Sequence, residues 1–427
     1  MSDAAILAAV EARRQDLIGL AQDLIRFPTL NPPGRHYREV CEYLGHRLIA
    51  QGFEVDYVRA IGAPGDSDRF PRWNMVARFQ TAPGPCVHFN GHHDVVEVGQ
   101  GWTRDPFGGE VEGDRLYGRG ACDMKGGLAA AVIAAEAFIA TRPGFRGAVE
   151  ISATADEESG GYGGVAWLAD RGWFAPERVD HVIIPEPLHK DRICLGHRGV
   201  WWAEVETQGR IAHGSMPFLG DSAIRHMGAL MAEIEDQLYP ALAARTTAMP
   251  VVPEGARAAT LNFNAIHGGQ AEPLPGDTSL PAPCVADSCR IVLDRRFLIE
   301  EDLAQVKAEV TGLLDGLAAT RPGFRYTIRD LFEVHPVMTD AAAPVVACTA
   351  AAIERVLARR PDLVASPGTY DQKHIDRIGR LKNCIAYGPG LLHLAHQPDE
   401  WVGIQDMVDS AKVMALVLAD LLADRPV

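Results

Sequence analysis

Histidine and carboxylate side chains stand at the ends of several predicted strands, where they could bind metal ions and move protons. His92 and Asp94 close a predicted strand over Cys86–Val96, and side chains two positions apart leave a strand on the same side. The Asp94 carboxylate can therefore accept the Nδ1–H of His92, which turns Nε2 towards a metal ion. An isolated His-x-Asp pair is more often structural, so the interpretation depends on the other strand ends.

A second acidic position lies in a glycine-rich segment. Asp123 belongs to YGRGACDMKGG, residues 117–127, immediately before the apolar helix predicted over Leu128–Ala140. The segment lacks the GxxxxGK[ST] pattern of a phosphate-binding loop. We therefore interpret Asp123 as a metal ligand held by tight backbone packing.

Three consecutive carboxylates, Asp156, Glu157 and Glu158, follow the predicted buried strand Ala148–Ala155. Adjacent carboxylates repel one another unless cations or protons relieve them. A solvated acidic loop is the alternative, but the buried strand that leads into it weighs against that interpretation. One carboxylate can bind metal while its neighbour takes a proton from water.

Two further strand ends complete the pattern. Glu186 follows the predicted strand His181–Pro185, and His396 lies in a Gly/Pro-rich loop after the strand predicted over Asn383–Gly388. Parallel sheets gather their sites at the carboxyl edge, so these side chains are expected to converge. A nitrogen and oxygen set without cysteine suits two divalent cations, zinc first and manganese or cobalt next.

The elements that must position these residues form two domains. Strands alternate with helices up to residue 198, which predicts an α/β domain with a mostly parallel sheet. From 199 to 333 the order is β-α-β-β-α-β, typical of a ferredoxin-like module. We predict one catalytic domain, 1–198 and 334–427, interrupted by an inserted domain, 199–333.

Composition narrows the function. The net charge of −15 argues against nucleic-acid binding, because phosphate neutralisation needs Lys and Arg. The first sixteen residues lack the basic and apolar regions of a signal peptide, and Leu128–Ala140 is too short to span a bilayer. The eight cysteines include no CxxC pair, which favours reduced thiols. We expect a cytoplasmic protein that binds neither membrane nor nucleic acid.

In combination, the motifs resemble those of the M20 metallopeptidase family, which includes acetylornithine deacetylases, succinyl-diaminopimelate desuccinylases, aminoacylases and glutamate carboxypeptidases. The segments that carry the resemblance are GHHDVV, YGRGACDMKGG, ATADEESGG, IIPEP, AHGSMP and AHQPDE. The resemblance implies a zinc-exopeptidase-like catalytic domain. It also implies an inserted dimerisation or lid domain and a homodimer formed through it.

The resemblance also implies roles for the candidate residues. His92 and Glu186 would bind one zinc ion, Glu158 and His396 the other, with Asp123 bridging both. Asp94 would orient His92. Glu157 would be the general base that deprotonates the attacking water and returns the proton to the leaving amine.

Other residues take their roles from the resemblance alone. His213 would reach across the dimer and stabilise the oxyanion in the partner's site. Arg296, in a D-x-R pattern, would grip a substrate carboxylate, although a surface arginine is an equal alternative. Gly368, Thr369 and Gly390 would line the substrate site.

The implied activity is hydrolysis of the amide bond of a small N-acyl amino acid. Segments that bind substrate in desuccinylases differ here, namely His197-Arg198-Gly199 and residues 368–374 (GTYDQKH). We therefore expect a specificity other than that of a standard desuccinylase. The alternatives are a dipeptidase or carboxypeptidase, an aminohydrolase releasing ammonia from an aromatic or ureido substrate, and, more distantly, an inactive binding homologue.

Overall fold

The computed structural model describes residues 3–269, 280 and 282–422 and divides into two compact units. The larger comprises Met1–Gly196, Met338–Val364 and Tyr370–Val427, and the smaller comprises His197–Val337 with Ala365–Thr369. The segment Ala365–Thr369 groups with the smaller unit, whereas the sequence pattern predicts it as part of the catalytic domain.

The described helices are α1 Asp3–Ala12, α2 Arg14–Arg26, α3 Tyr37–Ala50, α4 Gly126–Thr141, α5 Val165–Asp170, α6 Ala223–Glu233, α7 Tyr239–Ala243, α8 Leu303–Thr320, α9 Pro344–Leu357, α10 Gln372–Arg377 and α11 Ile404–Leu421. The strands are β1 Glu54–Arg59, β2 Trp73–Ala82, β3 Cys86–His92, β4 Val111–Glu112, β5 Arg115–Tyr117, β6 Gly147–Thr154, β7 His181–Ile184, β8 Arg192–His197, β9 Gly199–Gln208, β10 Thr260–Gly268, β11 Ser288–Phe297, β12 Arg325–Val334, β13 Val337–Met338, β14 Asp362–Ser366, β15 Cys384–Ala386 and β16 Trp401–Gly403.

The large sheet has the order β1-β2-β6-β3-β7-β15-β8-β13, with β14 paired to β8. Its central strands β6, β3, β7 and β15 run parallel. Pairing is antiparallel between β1, β2 and β6, and again between β15 and β8. The predicted fold class, mixed α/β with a mostly parallel sheet, is confirmed.

Helix α4 forms the middle of the larger unit's core. It is apolar almost all round and packs against α1, α2 and α11. Together with the preceding turn it covers Ala121–Thr141, which is long and apolar enough to cross a membrane by length and composition. The helical segment is therefore longer than the predicted Leu128–Ala140. Because 83% of its most apolar window is buried, it has the character of a core helix.

The smaller unit is a four-stranded antiparallel sheet, in the order β10-β11-β9-β12, with α6 and α8 packed against it. Buried and partly exposed residues alternate along β9 and β11, as expected for a sheet with one covered face. Its apolar core joins Val205 and Leu293 to Val310 and Leu314 of α8. The order of elements is that of the predicted ferredoxin-like module.

Two helical regions are interrupted. Helices α1 and α2 meet at Arg13. Helices α6 and α7 are separated by a wide turn over Ile234–Leu238. Pro240 lies in α7, where its missing N–H removes a helical hydrogen bond.

Candidate metal centre

Four neighbouring parallel strands end at one edge of the large sheet, and each leads to a candidate residue. His92 is the last residue of β3, and the turn Glu157–Ser159 comes directly after β6. Glu186 follows β7, and His396 lies beyond β15. Asp123 comes from the wide turn Ala121–Lys125 that precedes α4.

These residues form two groups that share one member. His92, Asp123 and Glu186 make one group, and Asp123, Glu158 and His396 make the other. Within each group the potential ligand atoms lie within 4.8 Å of one another. The side chain that the two groups share is therefore Asp123.

Asp123 presents one carboxylate oxygen to each group. Its Oδ1 lies 3.1 Å from His92 Nε2, and its Oδ2 lies 3.5 Å from His396 Nε2. The same His396 nitrogen is 3.1 Å from Glu158 Oε1. Two ligands that each bind a tetrahedral zinc ion at about 2.0–2.1 Å lie about 3.3 Å apart, so the observed spacings fit a cation between them.

The electrostatics also favour cations. Burial raises the pKa of Glu158 to about 7 and that of Glu186 well above its usual value. Hydrogen bonds to Asp123 and Glu158 raise the pKa of His396 to about 10. Positive charge is thus needed to keep these buried carboxylates ionised. The donor set fits divalent metal ions.

The turn that carries Glu157 is held by Asp94. The Asp94 carboxylate accepts the main-chain N–H groups of Glu157 and Glu158, at 3.1 and 3.2 Å, and the side-chain amide of Asn31 at 2.8 Å. Buried Asp94 therefore fixes the main chain of the turn that carries Glu157 and Glu158.

The expected Asp94–His92 hydrogen bond differs in detail. The nearer acceptor for His92 Nδ1 is the main-chain carbonyl oxygen of Asp94 at 3.0 Å, and the carboxylate is 3.5 Å away. The Asp94 carboxylate thus remains near His92 Nδ1, as predicted, while it also holds the Glu157 turn. Nε2 faces Asp123, whereas the sequence pattern predicts that it faces a metal ion.

Sequence reasoning overlooked Glu400, which lies in the AHQPDE segment. This fully buried carboxylate accepts the main-chain N–H groups of Gly120, Cys122 and Asp123 on Oε1, at 2.9–3.1 Å, and pairs with Arg119 through Oε2 at 2.5 Å. It therefore ties the loop of His396 to the turn of Asp123. The sequence signal for Glu400 was a second acidic residue, next to Asp399, in the polar AHQPDE motif.

Close packing explains two of the glycines. A Cβ on Gly127 would lie 1.9 Å from the Pro185 carbonyl oxygen, next to Glu186. Gly390 has a φ of 94°, and a Cβ there would lie 2.8 Å from Cys122 Sγ. Gly390, predicted to line the substrate site, thus lies in the larger unit beside the Asp123 turn.

The remaining predicted site residues lie in the smaller unit. His213 is exposed, and its Nδ1 accepts the main-chain N–H of Ser215 at 3.1 Å. Neutral His213 therefore carries its proton on Nε2, which makes that nitrogen a donor. Arg296 is paired with Asp294 at 2.7 Å. Gly368 and Thr369 belong to the short segment Ala365–Thr369.

A parallel sheet whose carboxyl edge gathers histidines and carboxylates around a shared aspartate defines a candidate site for divalent metal ions. The family model of peptidase family M20/M25/M40 matches residues 88–420. The chain is 34% identical over 420 residues to a protein named succinyl-diaminopimelate desuccinylase from Methylobacterium sp. (strain 4-46), covering 94% of this chain and 95% of that protein. A protein of the same name from Thioalkalivibrio sulfidiphilus (strain HL-EbGR7) is 28% identical, covering 96% and 100%.

Solved structures show the same fold. The crystal structure of human carnosine dipeptidase 1 matches with a TM-score of 0.77 at 19% identity, covering 98% of each chain. The M20 family metallo-carboxypeptidase Sso-CP2 from Sulfolobus solfataricus matches with a TM-score of 0.76 at 19% identity, covering 95% of this chain and 99% of that one. The chain belongs to peptidase family M20/M25/M40. It is a metal-dependent hydrolase that acts on amide bonds.

Proposed function

We propose that this enzyme removes the acyl group from a small N-acyl amino acid and uses two divalent metal ions to do so. The observation that carries the proposal is the shared carboxylate: Asp123 turns Oδ1 towards His92 and Oδ2 towards His396. Zinc is the first choice for this set of ligands, with manganese or cobalt next. The relatives named as desuccinylases support an acyl amino acid as the substrate.

His92, Asp123 and Glu186 would hold one ion, and Asp123, Glu158 and His396 the other. Bound there, divalent ions lower the pKa of water and polarise the amide carbonyl. Glu157 takes the proton of the attacking water and passes it to the leaving nitrogen as the C–N bond breaks. Asp94 keeps Glu157 in place because its carboxylate accepts the main-chain N–H of Glu157.

The smaller unit would complete the reaction through a homodimer. His213 offers an Nε2–H donor on an exposed loop, suited to the oxyanion of the tetrahedral intermediate in the partner's site. Arg296 would bind a substrate carboxylate if it exchanges Asp294 for the substrate. We place the enzyme in the cytoplasm, with neither nucleic acid nor membrane as a partner.

The role of Glu157 is tested with Glu157→Ala. We expect this variant to bind as much metal as the wild type and to lose turnover by about 10²–10⁴-fold, because it removes proton transfer and leaves the ligands intact. Metal content and initial rates are measured together. Glu112→Ala, which removes an exposed carboxylate paired with Arg104, serves as the control and should behave as wild type. A Glu157→Ala enzyme that retains full activity would exclude Glu157 as the base.

Specificity is tested by assaying N-acetyl and N-succinyl amino acids side by side with zinc-loaded enzyme. The altered segments 197–199 and 368–374 lead us to expect a preference other than succinyl-diaminopimelate. A strong preference for that compound would contradict this expectation. Products separate the alternatives: a free carboxylic acid indicates deacylation, two amino acids a dipeptidase, and ammonia an aminohydrolase. No turnover of any of these substrates would favour the binding homologue.

A further inference from the structure

A buried ammonium group contacts the side chain that we place as the general base. Lys373 Nζ lies 2.9 Å from Glu157 Oε1, and the exposed fractions of the two side chains are 3% and 11%. The residues are 216 positions apart in the chain. Of the two carboxylate oxygens of Glu157, Oε1 is the one that contacts a charged group among the described residues.

The residues on either side of Lys373 are anchored, so the lysine has little freedom to leave. Asp371 accepts a hydrogen bond from the Asn90 amide at 3.0 Å. Gln372 donates to the carbonyl oxygens of Leu195 and Cys384 at 3.1 and 2.9 Å. These contacts hold the start of α10 against the sheet.

His374 anchors the other side and connects α10 directly to the Glu157 turn. Its Nε2 lies 2.7 Å from the carbonyl oxygen of Gly160, the residue that ends the turn Glu157–Ser159. Lysine and carboxylate are thus presented by two backbone segments that are bonded to each other. The hydrogen bond between the two segments therefore keeps Lys373 and Glu157 next to each other.

A buried polar chain supports Asn90 in turn. Ser152 Oγ donates to Asn90 Oδ1 at 2.7 Å, and His88 lies 2.7 Å from Ser152 Oγ and 3.0 Å from a Glu150 carboxylate oxygen. All four side chains are fully buried on β3 and β6, the strands that end in His92 and in the Glu157 turn. Hydrogen bonds between buried side chains of this kind restrict the movement of Asn90.

The charge of Lys373 suits the contact. Burial alone would lower the pKa of its ammonium group, but the charges of Glu157 and Asp371 outweigh burial, and the pKa lies above the usual value. Lys373 is therefore protonated at neutral pH. A carboxylate held by a protonated amine has one oxygen occupied and the other available to water.

We propose that Lys373 is a positioning residue, which holds Glu157 Oε1 and so presents the other carboxylate oxygen for proton transfer. This inference rests on the proposed function, in which Glu157 is the base. A role in binding a substrate carboxylate is the competing interpretation, and it would require Nζ to be free of Glu157.

The test compares Lys373→Met and Lys373→Arg with wild type on one N-acyl amino acid that the wild type hydrolyses. We expect Lys373→Met to lose about 10- to 100-fold in kcat, because a misplaced catalytic group costs up to about 10²-fold. KM and the amount of bound metal should stay within about twofold of wild type. Lys373→Arg restores the charge and should recover part of kcat. Lys382→Met, which removes an exposed lysine paired with Asp376, should match wild type.

Other results would overturn the proposal. Unchanged kcat would show that Glu157 needs no partner, a rise in KM alone would indicate a substrate anchor, and loss of bound metal would indicate a role in building the metal centre. If Lys373→Met does not fold, Lys373→Gln, which keeps a donor of shorter reach, takes its place with the same expected split between kcat and KM. Absence of wild-type turnover on all substrates would instead refute the proposed function, and the role of Lys373 would fall with it.

Discussion

At the scale of single residues, buried charge governs the centre. Glu158, Glu186 and His396 all have raised pKa values, for opposite reasons: burial disfavours the carboxylates' charge, whereas neighbouring carboxylates favour the charge of His396. Without cations, Glu186 and His396 therefore hold protons at neutral pH, and Glu158 is partly protonated. Metal binding must displace those protons, since ligands bind in their deprotonated form.

We predict that metal affinity rises with pH between about 6 and 8 and that binding releases protons. The sign follows from the pKa values of about 7 for Glu158 and about 10 for His396: raising the pH removes protons that compete with the metal. Titration calorimetry of the metal-free enzyme with zinc, in buffers of different ionisation enthalpy, measures the number released. An affinity independent of pH, with no proton release, would contradict this account.

At the scale of elements, the sequence predicts the sheet and the ends of its central strands well. Strands β3, β6 and β7 are buried along their whole length because both of their faces are covered, and the histidine and acids that end or follow them stand out. This pattern suffices to single out His92 and the acids after β6 and β7, whereas the glycine-rich segment before α4 singles out Asp123. The same pattern does not predict which residues from distant segments contact each other.

Helix α10 shows why the rest escaped prediction. It has six residues, and its first three, Gln372, Lys373 and His374, are polar yet buried. Because amphipathic periodicity depends on apolar residues facing the core, such a helix gives no periodic signal. The contact of Lys373 with Glu157 joins segments 216 positions apart, and the single sequence carries no pattern for it.

Glu400 supplies a prediction about how elements are joined. Glu400→Gln should lower metal affinity by about 10- to 100-fold, because outer ligand contacts orient the metal ligands. It should also lower the free energy of unfolding by about 3–5 kcal/mol, since Arg119 is left as a buried unpaired charge. Metal titrations and denaturant unfolding measure the two effects. Asp399→Asn, at a partly exposed neighbour bonded to Thr103, should change neither, and equal effects of both substitutions would refute the specific role of Glu400.

At the scale of the whole molecule, the proposed homodimer makes a test by complementation possible. If His213 serves the partner's site, a dimer of one Glu157→Ala chain and one His213→Ala chain contains one intact site. After equal mixing and exchange of subunits, about a quarter of wild-type activity should return. The assay is the initial rate of the mixture against each variant alone, with the oligomeric state followed by sedimentation. No gain in the mixture, or a monomer at micromolar concentration, would refute the role of His213 across the dimer.

The shared carboxylate of Asp123 has one more consequence. If two cations bind as proposed, the first to arrive immobilises the aspartate and removes much of the negative charge that would attract the second. The two positions can then not fill independently. A ligand shared by two metal positions makes metal binding stepwise, with separate plateaus in a metal titration.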